Sequence, residues 1–314
     1  MKLRPLIIAF SAYLALIAAH TIWGSNFVIA KLALREFPIM SLAFLRFFLA
    51  SILLIPFVVA TSGSKKINLK DLQRIVLSSI LMITIHIALF YEGLSRTTAI
   101  NASVLSLIAP IFSVLVGWRI LKEKIYTVNL FGTTLALFGS LTVLGLPFLL
   151  TGVLSQTHIT GDVLIILSSL IFVFGAMISK PMLLKYHTLI ITFFMFLIGA
   201  ATFAVPAGLE FVQNPNWISK ITILGILGLL FITILSTITA FFFFEWGIEK
   251  LGLARAQVFQ YIQPAIAATI AVPLLQERVS FSFVIGTILV ILGVYWGTLG
   301  KEEHHHKKWS GTRH

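Results

Sequence analysis

The chain has 314 residues, of which 58% are hydrophobic and only 11% charged, with a mean hydropathy of +1.01. A soluble domain carries about 25% charged residues, so this composition excludes a water-compatible surface and predicts a polytopic membrane protein. The net charge of +12 invites a nucleic-acid reading, but the cations sit in short loops between apolar runs, and with no cysteine there are neither disulfides nor thiolate metal sites.

The N-terminus, residues 1–5, is short and basic like the start of a signal peptide, but no small-residue cleavage site follows a short apolar core. The apolar run instead continues through residues 7–22 and past Trp23-Gly24, where a break is predicted, so it reads as a retained first span. Further spans are predicted at 39–60, 73–95, 100–121 and 125–147. A linker, 148–161, separates these from a second set at 162–183, 188–209, 221–248, 255–276 and 279–299, and a basic tail occupies 300–314. Each run is about 20 residues or more, enough as helix to cross roughly 30 Å of hydrocarbon. The predicted fold is all-α and integral to the membrane, with ten transmembrane helices in two five-helix halves, 5–147 and 162–299.

The halves are related by an internal repeat. Shifting 93–139 by 154 positions places Gly93 on Gly247, Pro110 on Pro264, Glu123 on Glu277, Gly132 on Gly286 and Gly139 on Gly293. Only 11 of the 47 ungapped pairs are identical, but prolines and acids are scarce in this chain and fall in register. Alternate loops, starting from the N-terminus, hold 17 of the 23 basic residues against five on the other side, which predicts both termini in the cytoplasm. Because five is odd, equivalent segments then cross the membrane in opposite directions. Inverted repeats are a signature of secondary transporters, in which exchange of the two halves' conformations switches the accessible side.

The same residues carry a family resemblance. Trp23-Gly24-Ser25-Asn26-Phe27 followed by Lys31 resembles the first-helix signature of EamA-type drug/metabolite transporters. The stretch 99–123, with Pro110 and a terminal Leu-Lys-Glu-Lys, resembles the fourth-helix signature, and 251–278, with Pro264 and Leu-Leu-Gln-Glu-Arg, resembles its second copy. The resemblance implies a ten-helix exporter of amino acids or related small metabolites in the cell inner membrane. It also implies a central cavity lined by helices 1, 3, 4, 6, 8 and 9, with helix 2 peripheral. Helix 6 departs from the pattern, with Phe174-Gly175 in place of a tryptophan pair.

Intramembrane polar residues are the candidate site, since an ionisable group at the bilayer centre costs roughly 3 kcal/mol or more unless paired or watered. His20, His86 and Glu245 are candidates for proton coupling; the alternative for each histidine is a neutral ring hydrogen-bonded across two helices, and for Glu245 a charge network with Glu249, Lys250 and Arg255. Glu245 shares the stripe 237, 241, 245 with Thr237 and Phe241. Arg46 is expected to pair with Glu92 or to snorkel outward.

The ninth span is the most polar. Gln257, Gln260, Tyr261 and Gln263 crowd the turns before Pro264, with 257, 260, 261 and 264 on one helical face. Together with Ser103, Ser106, Asn101, Asn26 and Trp23 they are the candidate substrate contacts; the alternative is that the amides bind helices together. Pro110 and Pro264 are candidate hinges, each freeing a backbone carbonyl. Glu123 and Glu277 are expected to cap the following helix or close against the other half. His304-His305-His306 reads as a solvated patch of the tail.

The expected partners are a small-molecule substrate, with a proton as the candidate coupling ion, and the lipid bilayer, in a monomer or homodimer. No nucleic acid, metal or cofactor is implied. The function predicted is a secondary transporter; the alternatives are an integral-membrane enzyme and a non-transporting membrane subunit.

Overall fold

The computed structural model describes residues 3–61, 67–112, 156–251, 256–257 and 259–298, with nine positions between 127 and 142. Among the described residues every regular element is helical. In chain order these are α1 (Leu3–Ala33), α2 (Ile39–Ala60), α3 (Leu69–Arg96), α4 (Ala99–Phe112), α5 (Gln156–Leu183), α6 (Thr188–Gln213), α7 (Ile223–Leu251), α8 (Ile262–Leu275) and α9 (Phe281–Thr298). Six of them, α1, α2, α3, α5, α6 and α7, contain stretches long and apolar enough to cross a membrane; α4, α8 and α9 are shorter apolar helices. The expected roles of Glu123, most of the 125–147 span, and the tail histidines fall outside the described residues.

Two boundaries differ from expectation. α1 runs through Trp23-Gly24 without a break. The glycine there serves close packing: a Cβ on Gly24 would lie 2.9 Å from Ile266 Cβ and 3.1 Å from Gln263 Cα, so α1 meets α8 nearly backbone to backbone. α5 begins at Gln156, inside the stretch assigned to the linker.

Two helices change their pitch midway. α3 contains a π-helical stretch at Ile80–Ile85, and α7 contains one at Phe231–Thr239. Adding the repeat offset of 154 to 80–85 gives 234–239, inside the second stretch. A π turn carries more residues than an α turn, so it displaces the face presented by everything beyond it.

The helices pack as exchanged pairs. α2 lies along α6, α4 meets α8, α3 lies along α5, and α1 lies along α7 and α8. The core holds Leu16, Phe47, Tyr91, Phe196, Phe203 and Phe244, all buried.

One end of the bundle is stitched by acids that accept from the N-termini of helices elsewhere in the chain. Glu210 of α6 accepts from Met40 N and Ser41 N of α2 at 3.0 and 2.7 Å. Glu36 accepts from Thr222 N, at the start of α7, at 2.7 Å. Glu277 accepts from Ala99 N and Ile100 N of α4 at 2.8 and 3.0 Å. These amides have no intrahelical partner, and a negative charge suits the helix N-terminus. Glu277 therefore caps α4, in the other half of the sequence, rather than the helix that follows it. Gln276, at φ 55°, makes the left-handed turn that ends α8 and delivers Glu277 there. At the same end Lys31 Nζ donates to the carbonyls of Leu94, at 3.0 Å, and Thr97, while the Thr97 hydroxyl donates to Asp162.

Candidate functional site

Between these helices lies a cavity with an empty volume of about 630 Å³, counted out to its mouth. Its walls come from α1 (His20, Trp23, Asn26, Phe27), α3 (His86, Ile87, Phe90), α4 (Ser106, Ala109), α5 (Ser169, Phe172), α7 (Ser236, Phe241) and the approach to α8 (Gln257, Gln260, Gln263). α2 contributes Arg46. The second helix is thus not peripheral to the cavity, because one long side chain reaches it.

The glutamine face follows from local geometry. Phe259–Tyr261 is a 3₁₀ turn, which has three residues per turn, so residues three apart align. Gln257, Gln260 and Gln263 accordingly share the cavity wall, whereas the α-helical pattern had placed 257, 260, 261 and 264 together. Tyr261 does not line the cavity, and nor do Asn101 or Ser103. The Ser103 hydroxyl donates to Ile100 O at 2.6 Å within its own helix. Thr98 caps the backbone of Asn101 at the first turn of α4, remote from the cavity wall.

Pro110 has the backbone consequence expected of it. Proline has no N–H, so the carbonyl four residues earlier, Ser106 O, loses its helical donor. Ser106 O accepts instead from Ala109 N, three residues on, and from Gln260 Nε2, each at 3.1 Å. Pro264 stands in the corresponding turn of α8, directly after the 3₁₀ segment, and is buried.

The two histidines are held differently. His20 has both ring nitrogens engaged: Nε2–H donates to Ala256 O at 3.0 Å, and Nδ1 accepts from Gln263 Nε2 at 2.8 Å. That is a neutral ring tying α1 to the α8 region. His86 donates from Nδ1 to Ser168 O at 3.0 Å, which leaves Nε2 as an acceptor without a partner among the described residues. Its ring packs on Phe172, with centroids 4.9 Å apart.

Glu245 does not line the cavity. It is buried and accepts from the Thr192 hydroxyl of α6 at 3.2 Å. Of the stripe 237, 241, 245, Thr237 accepts from Arg46, Phe241 lines the cavity and also meets Phe196 of α6, and Glu245 reaches α6. Trp23 Nε1 donates to Ser236 O at 3.0 Å, a carbonyl inside the π stretch.

Arg46 pairs with no acid among the described residues and does not snorkel. Its side chain is 2% exposed, Nε donates to Thr237 Oγ1 at 2.9 Å, and Nη1 donates to Tyr91 OH at 2.7 Å. Glu92 pairs with Arg96 one turn on. Arginine in an apolar run was visible in the sequence, but its partners are neutral residues 45 and 191 positions away, which no charge pattern reveals.

Four buried polar atoms on the cavity wall have no hydrogen-bond partner among the described residues: Asn26 Oδ1, Ser236 Oγ, Gln257 Nε2 and Gln260 Oε1. An unmet buried donor or acceptor costs about 1–3 kcal/mol. Their convergence on one space suits a polar ligand. Facing them is an aromatic wall in which Trp23 meets Phe172, Phe241 and Phe244 edge-on, with centroids 5.0–6.1 Å apart. Ser236, Ser169, Phe90 and Phe172 were not singled out in the sequence; lone serines and phenylalanines in apolar spans give no signal of their own.

The sequence profile of the EamA-like transporter family matches residues 10–145 and 159–298. An uncharacterized transporter of Archaeoglobus fulgidus is 29% identical over 287 residues, spanning 91% of this chain and 96% of that protein. The uncharacterized transporter YoaV of Bacillus subtilis is 23% identical, with the same two coverages. A solved crystal structure covers 92% of this chain and 96% of its own, with a TM-score of 0.66 at 16% identity, a likeness of fold alone.

Proposed function

The chain belongs to the EamA-like transporter family, a family of multi-pass membrane proteins, and from that premise we propose that it is a secondary transporter exporting an amino acid or related small metabolite. In this reading two inverted five-helix repeats, 5–147 and 162–299, joined by the linker 148–161, alternate access to the cavity across the inner membrane. Both termini and the 300–314 tail are cytoplasmic, as a 17-to-five loop charge bias favours.

The helix pairing supports the inversion. Exchanging first with sixth, second with seventh, third with eighth and fourth with ninth spans maps α2–α6 and α4–α8 onto themselves and swaps α1–α7 with α3–α5. The π stretches of α3 and α7 exchange in the same way. Gly93 packs against Gly161 and Ile165 of α5, and its repeat partner Gly247 packs against Leu16 of α1, again an exchange.

The observation that carries the reading is the convergence of unpartnered polar atoms from both halves, Asn26 Oδ1 against Ser236 Oγ, Gln257 Nε2 and Gln260 Oε1. Amides and hydroxyls can hold a polar solute and release it without leaving a charge stranded in the membrane. Gln257, Gln260 and Gln263 form one binding wall, with Asn26, Trp23 and Ser106 on the helices beside it. His86, whose Nε2 has no partner among the described residues, is the proton-coupling residue; His20 and Glu245 take structural places. Pro110 and Pro264 bend where the two halves meet.

The test is counterflow in proteoliposomes loaded with unlabelled amino acids, using a labelled panel outside. Saturable exchange that falls at least tenfold in Gln260→Ala, with normal insertion, is the expected result. No exchange and no thermal stabilisation by any panel member would remove the amino-acid reading.

A further inference from the structure

We infer that Arg46 is the anchor for a carboxylate on the transported solute. This deepens the transporter reading and rests on it. Arg46 is the one residue with a fixed charge on the described cavity wall, since no aspartate, glutamate or lysine lines it. No carboxylate among the described residues lies within ion-pair distance of its guanidinium. A buried cation lacking a counter-ion is destabilising, and here it is retained at a wall otherwise built for a polar ligand.

The guanidinium is nevertheless firmly positioned. Thr237 holds Nε, Tyr91 holds Nη1, and the cation lies over the rings of Phe47 at 4.8 Å and Tyr91 at 5.6 Å. A guanidinium has five N–H donors, and the two neutral acceptors leave most of them, including both on Nη2, without a partner among the described residues. Neutral oxygens and ring faces orient an arginine without neutralising it. A planar group with spare parallel donors and no counter-ion matches a carboxylate in geometry and in charge.

The π stretch of α7 takes part directly. Thr237 Oγ1 donates to Ile232 O, five residues earlier, at 2.7 Å, which fixes its hydroxyl and presents a lone pair to Arg46 Nε. The Arg46 anchor on α2 is therefore set by a helix of the other half of the sequence. The aromatic wall of Trp23 and Phe172 then receives the apolar part of the solute. The class of ligand is an apolar or aromatic carboxylate, and the unmet oxygens of Asn26 and Gln260 favour one that also carries an N–H or O–H donor.

The experiment compares carboxylates with their own carboxamides in proteoliposomes: phenylalanine with phenylalaninamide, leucine with leucinamide, and 3-phenylpropionate with 3-phenylpropionamide. Wild-type protein is expected to bind or exchange the acid at least tenfold better than the amide in the best pair. Arg46→Gln is expected to lose the acid at least tenfold while keeping the amide, so that the ratio falls toward one. Arg46→Lys, which keeps a charge but not the fork, is expected to fall between. Equal handling of acid and amide by the wild type, or an unchanged ratio in Arg46→Gln, overturns the inference and leaves the transporter reading standing. If neither form of any pair moves or stabilises the wild type, both fall. The wild-type ratio decides the matter even where the Gln variant fails to fold.

Discussion

Gln260 donates from its side chain to the backbone carbonyl of Ser106, and the two residues are 154 positions apart, the offset of the internal repeat. Each is the other's counterpart, and each stands four residues before a repeat proline, Pro110 or Pro264. Pro110 has no N–H to offer that carbonyl, which accepts instead from Ala109 N and from Gln260. Pro110→Ala restores a donor that competes with Gln260. An interior proline costs a helix on the order of 3 kcal/mol, so the variant is expected to melt higher. It is expected to transport several-fold more slowly, because the glutamine loses its hold and α4 loses its bend. Thermal unfolding and initial exchange rates measure the two effects; a higher melting temperature with unchanged exchange would separate the kink from transport.

The histidines are expected to fail in different ways. His20→Ala strands Ala256 O and the Gln263 amide, and an unmet buried group costs about 1–3 kcal/mol, so stability falls. His86→Gln keeps a donor for Ser168 O and removes only the titratable ring. Its melting temperature is expected to change little, while the pH dependence of exchange flattens. An exchange profile identical to the wild type would take proton coupling away from His86.

Gly24→Ala places a methyl 2.9 Å from Ile266 Cβ and 3.1 Å from the Gln263 backbone. Neither contact involves a movable side-chain end, so α1 and α8 must separate. Overpacking of this kind costs about 1–3 kcal/mol. Shortening Ile266 to alanine leaves the offending Cβ in place and is expected to rescue nothing. Guanidine-free thermal unfolding of the single and double variants checks this; recovery in the double variant would contradict it.

The carboxylate of Glu277 holds two amides at the start of α4. Glu277→Gln keeps one acceptor and loses the charge, at a cost of about 0.5–2 kcal/mol. If that end must open during transport, the variant spends more time open. The chain has no cysteine of its own, so a single cysteine at Asn26 reports alone. Its labelling by a membrane-impermeant thiol reagent from the side of the Glu277 end is expected to speed up several-fold. Equal rates would mean that the cap is structural only.

The extent of α2 was legible to the residue, 39–60, because Pro38 marks its start and an unbroken apolar run sets its length. The face of the ninth span was not. A 3₁₀ turn at 259–261 depends on Pro264 and on packing against α1 and α4, and a period of 3.6 applied to the sequence put Tyr261 where Gln263 stands. Arg46 was visible as a charge in the wrong place, but its sequence neighbours suggested Glu92. The fold gave it a threonine on a π turn and a phenol instead. Pairings that cross between halves depend on how the helices are threaded, and no local pattern encodes that.

The wide turns of α3 and α7 each carry surplus backbone within a helix, much as a dislocation carries an extra half-plane within a crystal. Such a defect can glide by re-forming hydrogen bonds a few at a time, and one step rotates the side chains it passes by about 100°. In α7 the defect sits under Ser236 and Thr237, which hold Trp23 and Arg46. A single step would release both grips together, so the helix has a way to let go of its cargo's neighbours without unfolding.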